Sequence, residues 1–128
     1  GPISLAGQSY GGLGVLEAAL GGTLPVECYV AQSPSLWWGG GERGRGEGTL
    51  MGALSRGERR LPDGLTLWCQ VGEREVAMRP VVRRCAGLLD GATSLVRFET
   101  YSGGHDVAWW REGLLRALDE WCVRDGSV

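Results

Sequence analysis

Ile3-Ser4-Leu5-Ala6-Gly7-Gln8-Ser9-Tyr10-Gly11 decides the reading of this chain. A short apolar run ends in the pattern G-x-S-x-G. Leu13-Gly14-Val15-Leu16-Glu17-Ala18-Ala19-Leu20 follows as a helix-forming segment closed by Gly21-Gly22. A strand that turns at once into a helix around a serine has the form of a nucleophile elbow. The turn holds its serine in a strained conformation at the carboxyl end of the strand. Side chains at Gly7 and Gly11 are expected to collide with the neighbouring strand and helix. With 23 glycines in the chain, the pattern alone is unspecific, and its strand-and-helix setting gives it weight.

Working outward, apolar runs and helical stripes alternate. Ile3 to Ala6, Val26 to Ala31, Leu65 to Val71 and Leu95 to Thr100 read as strands. Between and after them lie helix candidates: Leu13 to Leu20, a short one near Leu50 to Leu54, and Glu75 to Leu89. The last runs from about Asp106 to Val123. The third helix carries Val76, Ala77, Val81, Val82, Cys85, Leu88 and Leu89 on its apolar stripe. Pro80 either sits in its first turn or kinks it. The last helix carries Val107, Trp110, Leu114, Leu115, Leu118, Trp121 and Cys122. The order β-α-β-α-β-α-β-α implies an α/β fold, a parallel sheet with helices on both faces, in one domain over residues 1–128. Gly39-Gly40-Gly41-Glu42-Arg43-Gly44 matches G-x-G-x-x-G but does not join a strand to a helix, so it reads as a flexible surface loop.

Composition narrows the class. The chain has 128 residues, 43% hydrophobic content and a formal net charge of −2. That charge argues against nucleic acid and membrane surfaces as partners. No apolar run approaches the ~20 residues that span a bilayer. The chain lacks a basic-then-apolar signal peptide and does not begin with Met, which suggests a piece of a longer protein. The four cysteines, Cys28, Cys69, Cys85 and Cys122, form no C-x-x-C pair. With a single His in the chain, a zinc site is not expected. The cysteines read as small buried thiols, which fits a reduced, cytoplasmic setting. All thirteen basic residues are Arg.

A serine needs a base to act as a nucleophile. The one imidazole is His105, in Tyr101-Ser102-Gly103-Gly104-His105-Asp106, just past the fourth strand. In a parallel sheet that loop lies at the same carboxyl edge as Ser9, where ligands gather. A carboxylate after the third strand would fix the tautomer of His105 and stabilise its cation. Glu75 is the favoured candidate in Val71-Gly72-Glu73-Arg74-Glu75, ahead of Glu73. Asp106, adjacent to the imidazole, suits a helix cap better. The order Ser, acid, His is that of the α/β-hydrolases.

Four blocks then resemble one family: Gly7-Gln8-Ser9-Tyr10-Gly11-Gly12, Gln32-Ser33-Pro34-Ser35-Leu36-Trp37-Trp38, Gly72-Glu73-Arg74-Glu75, and Gly103-Gly104-His105-Asp106 with Trp110-Arg111. In this order they are similar to the enterochelin (ferric enterobactin) esterases, which are esterase-D-like α/β-hydrolases. The second and fourth blocks are the specific ones, and the resemblance covers essentially the whole chain. It implies a partial α/β-hydrolase fold and hydrolysis of the tri-serine lactone of catecholate siderophores. Carried over by position, Ser9 would be nucleophile and His105 base, while the acid stays open among Glu75, Glu73, Asp106 or none, since some relatives work with a Ser-His pair. The small-molecule ester substrate would be a ferric catecholate siderophore, with no metal or organic cofactor of the enzyme's own. Trp37 and Trp38 either line the site mouth, where they would stack on catechol rings, or pack their loop down. Arg74 and Arg111 either attract an anionic substrate or stand as surface charges.

These relatives are longer, and the chain matches only the C-terminal half of their catalytic domain. One oxyanion donor, the backbone N–H of Tyr10, is present. The second normally comes from an earlier loop. The first strand is expected to expose an unpaired edge. The isolated chain is therefore expected to be weakly active and aggregation-prone. A general carboxylesterase or acyltransferase, and a non-catalytic binding module, are the competing readings.

Overall fold

The computed structural model describes residues 3–91 and 93–125, without the side chains of 121–125. Its elements are β1 (Ser4–Gln8), α1 (Tyr10–Gly21), β2 (Cys28–Gln32), α2 (Thr49–Ser55), β3 (Thr66–Gly72), α3 (Arg79–Leu89), β4 (Leu95–Tyr101) and α4 (Val107–Asp125). All strand pairs are parallel, and the strands lie side by side in chain order. β2 is buried along its whole length and β3 nearly so, which is why both read as continuous apolar runs. β1 and β4, at the margins, are mostly half-buried.

Alternation along the strands divides the interior. Tyr29, Ala31, Leu67, Cys69 and Val71 face the side covered by α1, α2 and α3, where Leu16, Met51 and Val82 pack on them. Cys28, Val30 and Trp68 face the other side, under Ala117, Leu114 and Leu118 of α4. The expected helices on both faces are thus three on one and one on the other. Register also lines up a polar row, since Gln8 pairs with Gln32, Gln32 with Gln70, and Gln70 with Glu99.

The start of α3 and the inward stripe of α4 differ from the sequence reading. α3 begins at Arg79, not Glu75, with Pro80 in its first turn. There the missing N–H of proline removes no intrahelical bond. The preceding residues form turns, so Val76 leaves the expected apolar stripe and is 73% exposed. In α4, Val107 and Leu115 are exposed rather than inward, while the side chains of Trp121 and Cys122 lie outside the described residues. The Gly39–Gly48 loop is not a loose strap. Gly41 and Gly48 donate to the carbonyls of Trp37 and Leu36, each at 2.7 Å. A Cβ on Gly48 would fall 1.9 Å from the Trp38 carbonyl oxygen. Among the described residues no helix is long and apolar enough to cross a membrane.

Candidate active site

The site begins with the chain turning at Ser9. Its φ of 59° lies in the left-handed region, uncommon for a residue with a side chain. β1 ends at Gln8 and α1 begins at Tyr10, so Ser9 alone makes the turn. Gly7 is needed as expected, because a Cβ there would sit 2.3 Å from the carbonyl oxygen of Gly11. Gly11 is not needed for space, since a Cβ there meets nothing within 4 Å. The second crowded position is Gly12, where a Cβ would lie 2.8 Å from the carbonyl oxygen of Gln32. Ser9 precedes α1 without capping it through its side chain. Its hydroxyl is turned out toward the sheet rim instead.

There it meets the imidazole. Ser9 Oγ lies 3.1 Å from His105 Nε2, and His105 Nδ1 lies 2.6 Å from Glu75 Oε1. The three groups come from the loops after β1, β4 and β3, at one carboxyl edge. Ser35 Oγ stands 3.4 Å from Ser9 Oγ. The other two carboxylates weighed for this position lie elsewhere. Asp106 accepts the N–H of Ala108 at 2.9 Å, a helix-capping bond. Glu73 is exposed, and its backbone carbonyl accepts from Arg79.

Glu75 is nearly buried, at 9% exposure, and its second oxygen is satisfied from three sides. Oε2 accepts the Gly72 N–H at 2.7 Å, the Ser33 hydroxyl at 2.6 Å and the Tyr101 hydroxyl at 3.3 Å. Burial pushes the Tyr101 phenol well above its ordinary range, so it remains a hydrogen-bond donor at neutral pH. Ser33 has a φ of 44° and also accepts the Trp110 indole N–H at 3.1 Å. The Trp110 ring meets His105 edge-on, with centroids 4.8 Å apart. Gly103 lets the loop pass, since a Cβ there would lie 2.3 Å from ring atoms of Trp109.

An open cleft of about 410 Å³ lies over Ser9, Glu75 and His105. Tyr10 and Trp37 form one wall with their rings 5.5 Å apart and steeply inclined. Val76, Ala77 and Met78 form an apolar side, and Arg43 from the glycine-rich loop brings a cation to the rim. Of the residues read as substrate contacts, Trp37 lines this cleft. Trp38 does not: it is 54% exposed and lines a separate hollow with Leu13, Glu17 and Leu50. Arg74 and Arg111 are exposed and are not among the cleft residues. Sequence reasoning missed Arg43, whose loop carried no visible tie to the site. It also gave no role to Tyr101, a polar group at the end of β4, or to Ser33, which follows β2 within the second resembling block.

No family model matches the chain. It is 34% identical over 120 residues to the iron(III) enterobactin esterase of Escherichia coli K12, covering 91% of this chain and 29% of that protein. It is 32% identical over 119 residues to the iron(III) salmochelin esterase of E. coli O6:H1 strain CFT073, covering 89% and 29%. A crystal structure of the enterobactin esterase from Shigella flexneri in the presence of enterobactin has a TM-score of 0.81 at 31% identity, covering 95% of this chain and 31% of that one. An S-formylglutathione hydrolase from Staphylococcus aureus shares the fold, with a TM-score of 0.53 at 20% identity, over 91% of this chain and 49% of that one. The architecture is a partial α/β-hydrolase fold. The chain spans less than a third of the length of the esterases it matches.

Proposed function

We propose that this chain, a relative of the iron(III) enterobactin esterases over 91% of its own length, carries the nucleophile, base and acid of a serine esterase. The bonds it opens are the ester or lactone bonds of a catecholate siderophore. One observation carries the proposal: the unbroken hydrogen-bonded run from Ser9 Oγ through the His105 ring to Glu75, facing a cleft.

The chemistry follows from the geometry. As Ser9 Oγ bonds to the ester carbonyl carbon, its proton passes to His105 Nε2. The Nδ1–H stays on the ring and is donated to Glu75, which offsets the positive charge of the imidazolium. The carbonyl oxygen becomes an oxyanion beside the Tyr10 N–H, at the positive end of α1. Collapse breaks the bond to the leaving alkoxide, which takes the proton from Nε2. The acyl group then rests on Ser9. Water, deprotonated by His105, releases it as a carboxylate and restores the hydroxyl.

Substrate choice rests on the cleft and the relatives together. The Trp37 ring and the apolar side at Val76, Ala77 and Met78 suit an aryl group, and Arg43 suits an anionic catecholate. Relatives named for enterobactin and salmochelin support this class. Iron belongs to the substrate in this reading. A reducing, cytoplasmic setting suits the buried thiols of Cys69 and Cys85.

The test combines a fluorophosphonate with a tri-catecholate serine lactone. The expected result is one covalent adduct at Ser9, absent in Ser9→Ala and strongly slowed in His105→Ala, together with opening of the lactone. Turnover of p-nitrophenyl esters but not of the lactone would point to a general carboxylesterase. No adduct under any condition would leave a binding module.

A further inference from the structure

We infer that Ser33 is a positioning residue: its buried hydroxyl ties Glu75 to Tyr101 and to helix α4, so that the free carboxylate oxygen is held toward His105. The inference rests on the roles proposed above for Ser9, His105 and Glu75.

A hydroxyl has one proton and two acceptor sites. Ser33 uses all three. Its proton goes to Glu75 Oε2 at 2.6 Å. Its acceptor sites take the Trp110 indole N–H at 3.1 Å and the Tyr101 hydroxyl at 2.5 Å. The direction of each bond is forced. Indole N–H is a donor only, and a carboxylate oxygen is an acceptor only. The single Ser33 proton is committed to Glu75, so the Tyr101 proton is shared between Ser33 Oγ at 2.5 Å and Glu75 Oε2 at 3.3 Å. Every donor in the cluster therefore aims toward Glu75, and the arrangement is self-consistent when that group is ionised. A protonated Oε2 would set two donors against each other. Donors feeding an acceptor that itself donates also strengthen the final bond.

The consequence is a division of labour between the two carboxylate oxygens. Oε2 is saturated by Ser33, Tyr101 and the Gly72 N–H. Oε1 is left for His105 Nδ1 at 2.6 Å. Ser33 itself is fully buried, and its N–H is fixed to the Gln70 carbonyl at 2.7 Å. Its left-handed φ of 44° is maintained at the end of a buried strand, where an extended residue would carry the side chain elsewhere. Trp110 closes the arrangement, since the same ring that donates to Ser33 abuts the imidazole edge-on. A serine in the loop after β2 thereby couples the loop after β3 to the first turn of α4.

The 128-residue chain offers a direct readout, because His105 is its single histidine. In protein carrying 15N-histidine, the Nδ1–H proton signal belongs to one ring. Ser33→Ala is expected to move that signal upfield and to speed its exchange with water about 10- to 100-fold. Fluorophosphonate labelling of Ser9 should slow by a similar factor. In a Glu75→Gln background the same Ser33→Ala change should alter labelling by less than about twofold, since the bond it removes no longer orients a carboxylate. Tyr101→Phe keeps ring shape and deletes one donor, and Trp110→Phe deletes one donor with part of the ring. They should shift the signal in the same direction by less, and they carry the test if Ser33→Ala does not fold. An unchanged signal in all three variants overturns the inference, as does an equal Ser33→Ala effect with and without Glu75. A wild-type chain that is never labelled, yet whose imidazole signal responds to Ser33→Ala, upholds the positioning role while rejecting the esterase reading.

Discussion

The two faces of the sheet are held by different means. Toward α1, α2 and α3 the contacts are apolar, with Leu16, Met51 and Leu67 at 0% exposure. Toward α4 the apolar cluster is small, and amide side chains take over. Gln8 donates to Gln32 Oε1 at 2.9 Å, and Gln32 donates to Gln70 Oε1 at 2.7 Å. Gln70 Nε2 in turn donates to Glu99. The same amides reach up to α4, to the Trp110 carbonyl at 2.6 Å and the Gly113 carbonyl at 2.8 Å. Gly113 is crowded by this ladder, since a Cβ there would lie 2.8 Å from Gln70 Oε1. Apolar burial has no direction, whereas hydrogen bonds fix angles. One face therefore supplies resistance to unfolding. The other sets the position of the helix that begins two residues after His105.

The sharpest way to separate the faces is to remove function without touching either. Ser9→Ala and His105→Ala should each reduce fluorophosphonate labelling and ester turnover by about three orders of magnitude or more. Urea midpoints should stay close to wild type, because both side chains lie at the rim. A matching collapse of stability in either variant would break the separation. Next in size, Leu16→Ala on the apolar face should cost about 2–5 kcal/mol of stability in urea melts. Labelling of the fraction that remains folded should be preserved. Gln32→Leu on the α4 face should show the reverse balance. It deletes two donors to Gln70 and Trp110 and one acceptor for Gln8, leaving unpaired groups worth about 1–3 kcal/mol each. Here labelling should fall along with stability, as α4 loses its seat.

The smallest effect is expected from alkaline pH, and it too distinguishes the faces. Burial pushes the Cys69 thiol up to about 12 from an ordinary 9.0. The unfolded chain then releases this proton first, so stability declines as pH rises from about 9 toward 12 and is fully present below 9. Burial likewise raises the Cys85 thiol on the same face. Cys69→Ala should flatten the decline between pH 9 and 10 in thermal melts. An unchanged slope would assign the alkaline sensitivity to another group, such as the Tyr101 phenol.

Local signals made much of this readable from sequence. The four strands announce themselves as apolar runs, and the elbow combines its glycines with a helix-forming segment. His105 and Glu75 follow strands whose parallel order sends their loops to one edge. What escaped was set by distance along the chain. Gly12 rather than Gly11 is the crowded glycine because the neighbouring β2 chain, 20 residues on, passes over it. Arg43 reaches the cleft only because its loop is tied down on Trp37. Trp38 alternates away from the site where Trp37 points in, a one-residue difference that composition does not reveal. The glutamine ladder needs exact pairing of three strands, which periodicity leaves open.

Strand order carries a last consequence. β1 and β4 are the outermost strands, roughly 14 Å apart at ordinary spacing, and their loops supply residues 96 positions apart in sequence. Under the proposed mechanism, a nascent chain halted before its fourth strand would already display the serine, yet lack the imidazole that draws off its proton. Reactivity would then arrive only when the last strand docks, and a fluorescent phosphonate added during synthesis would time the completion of folding.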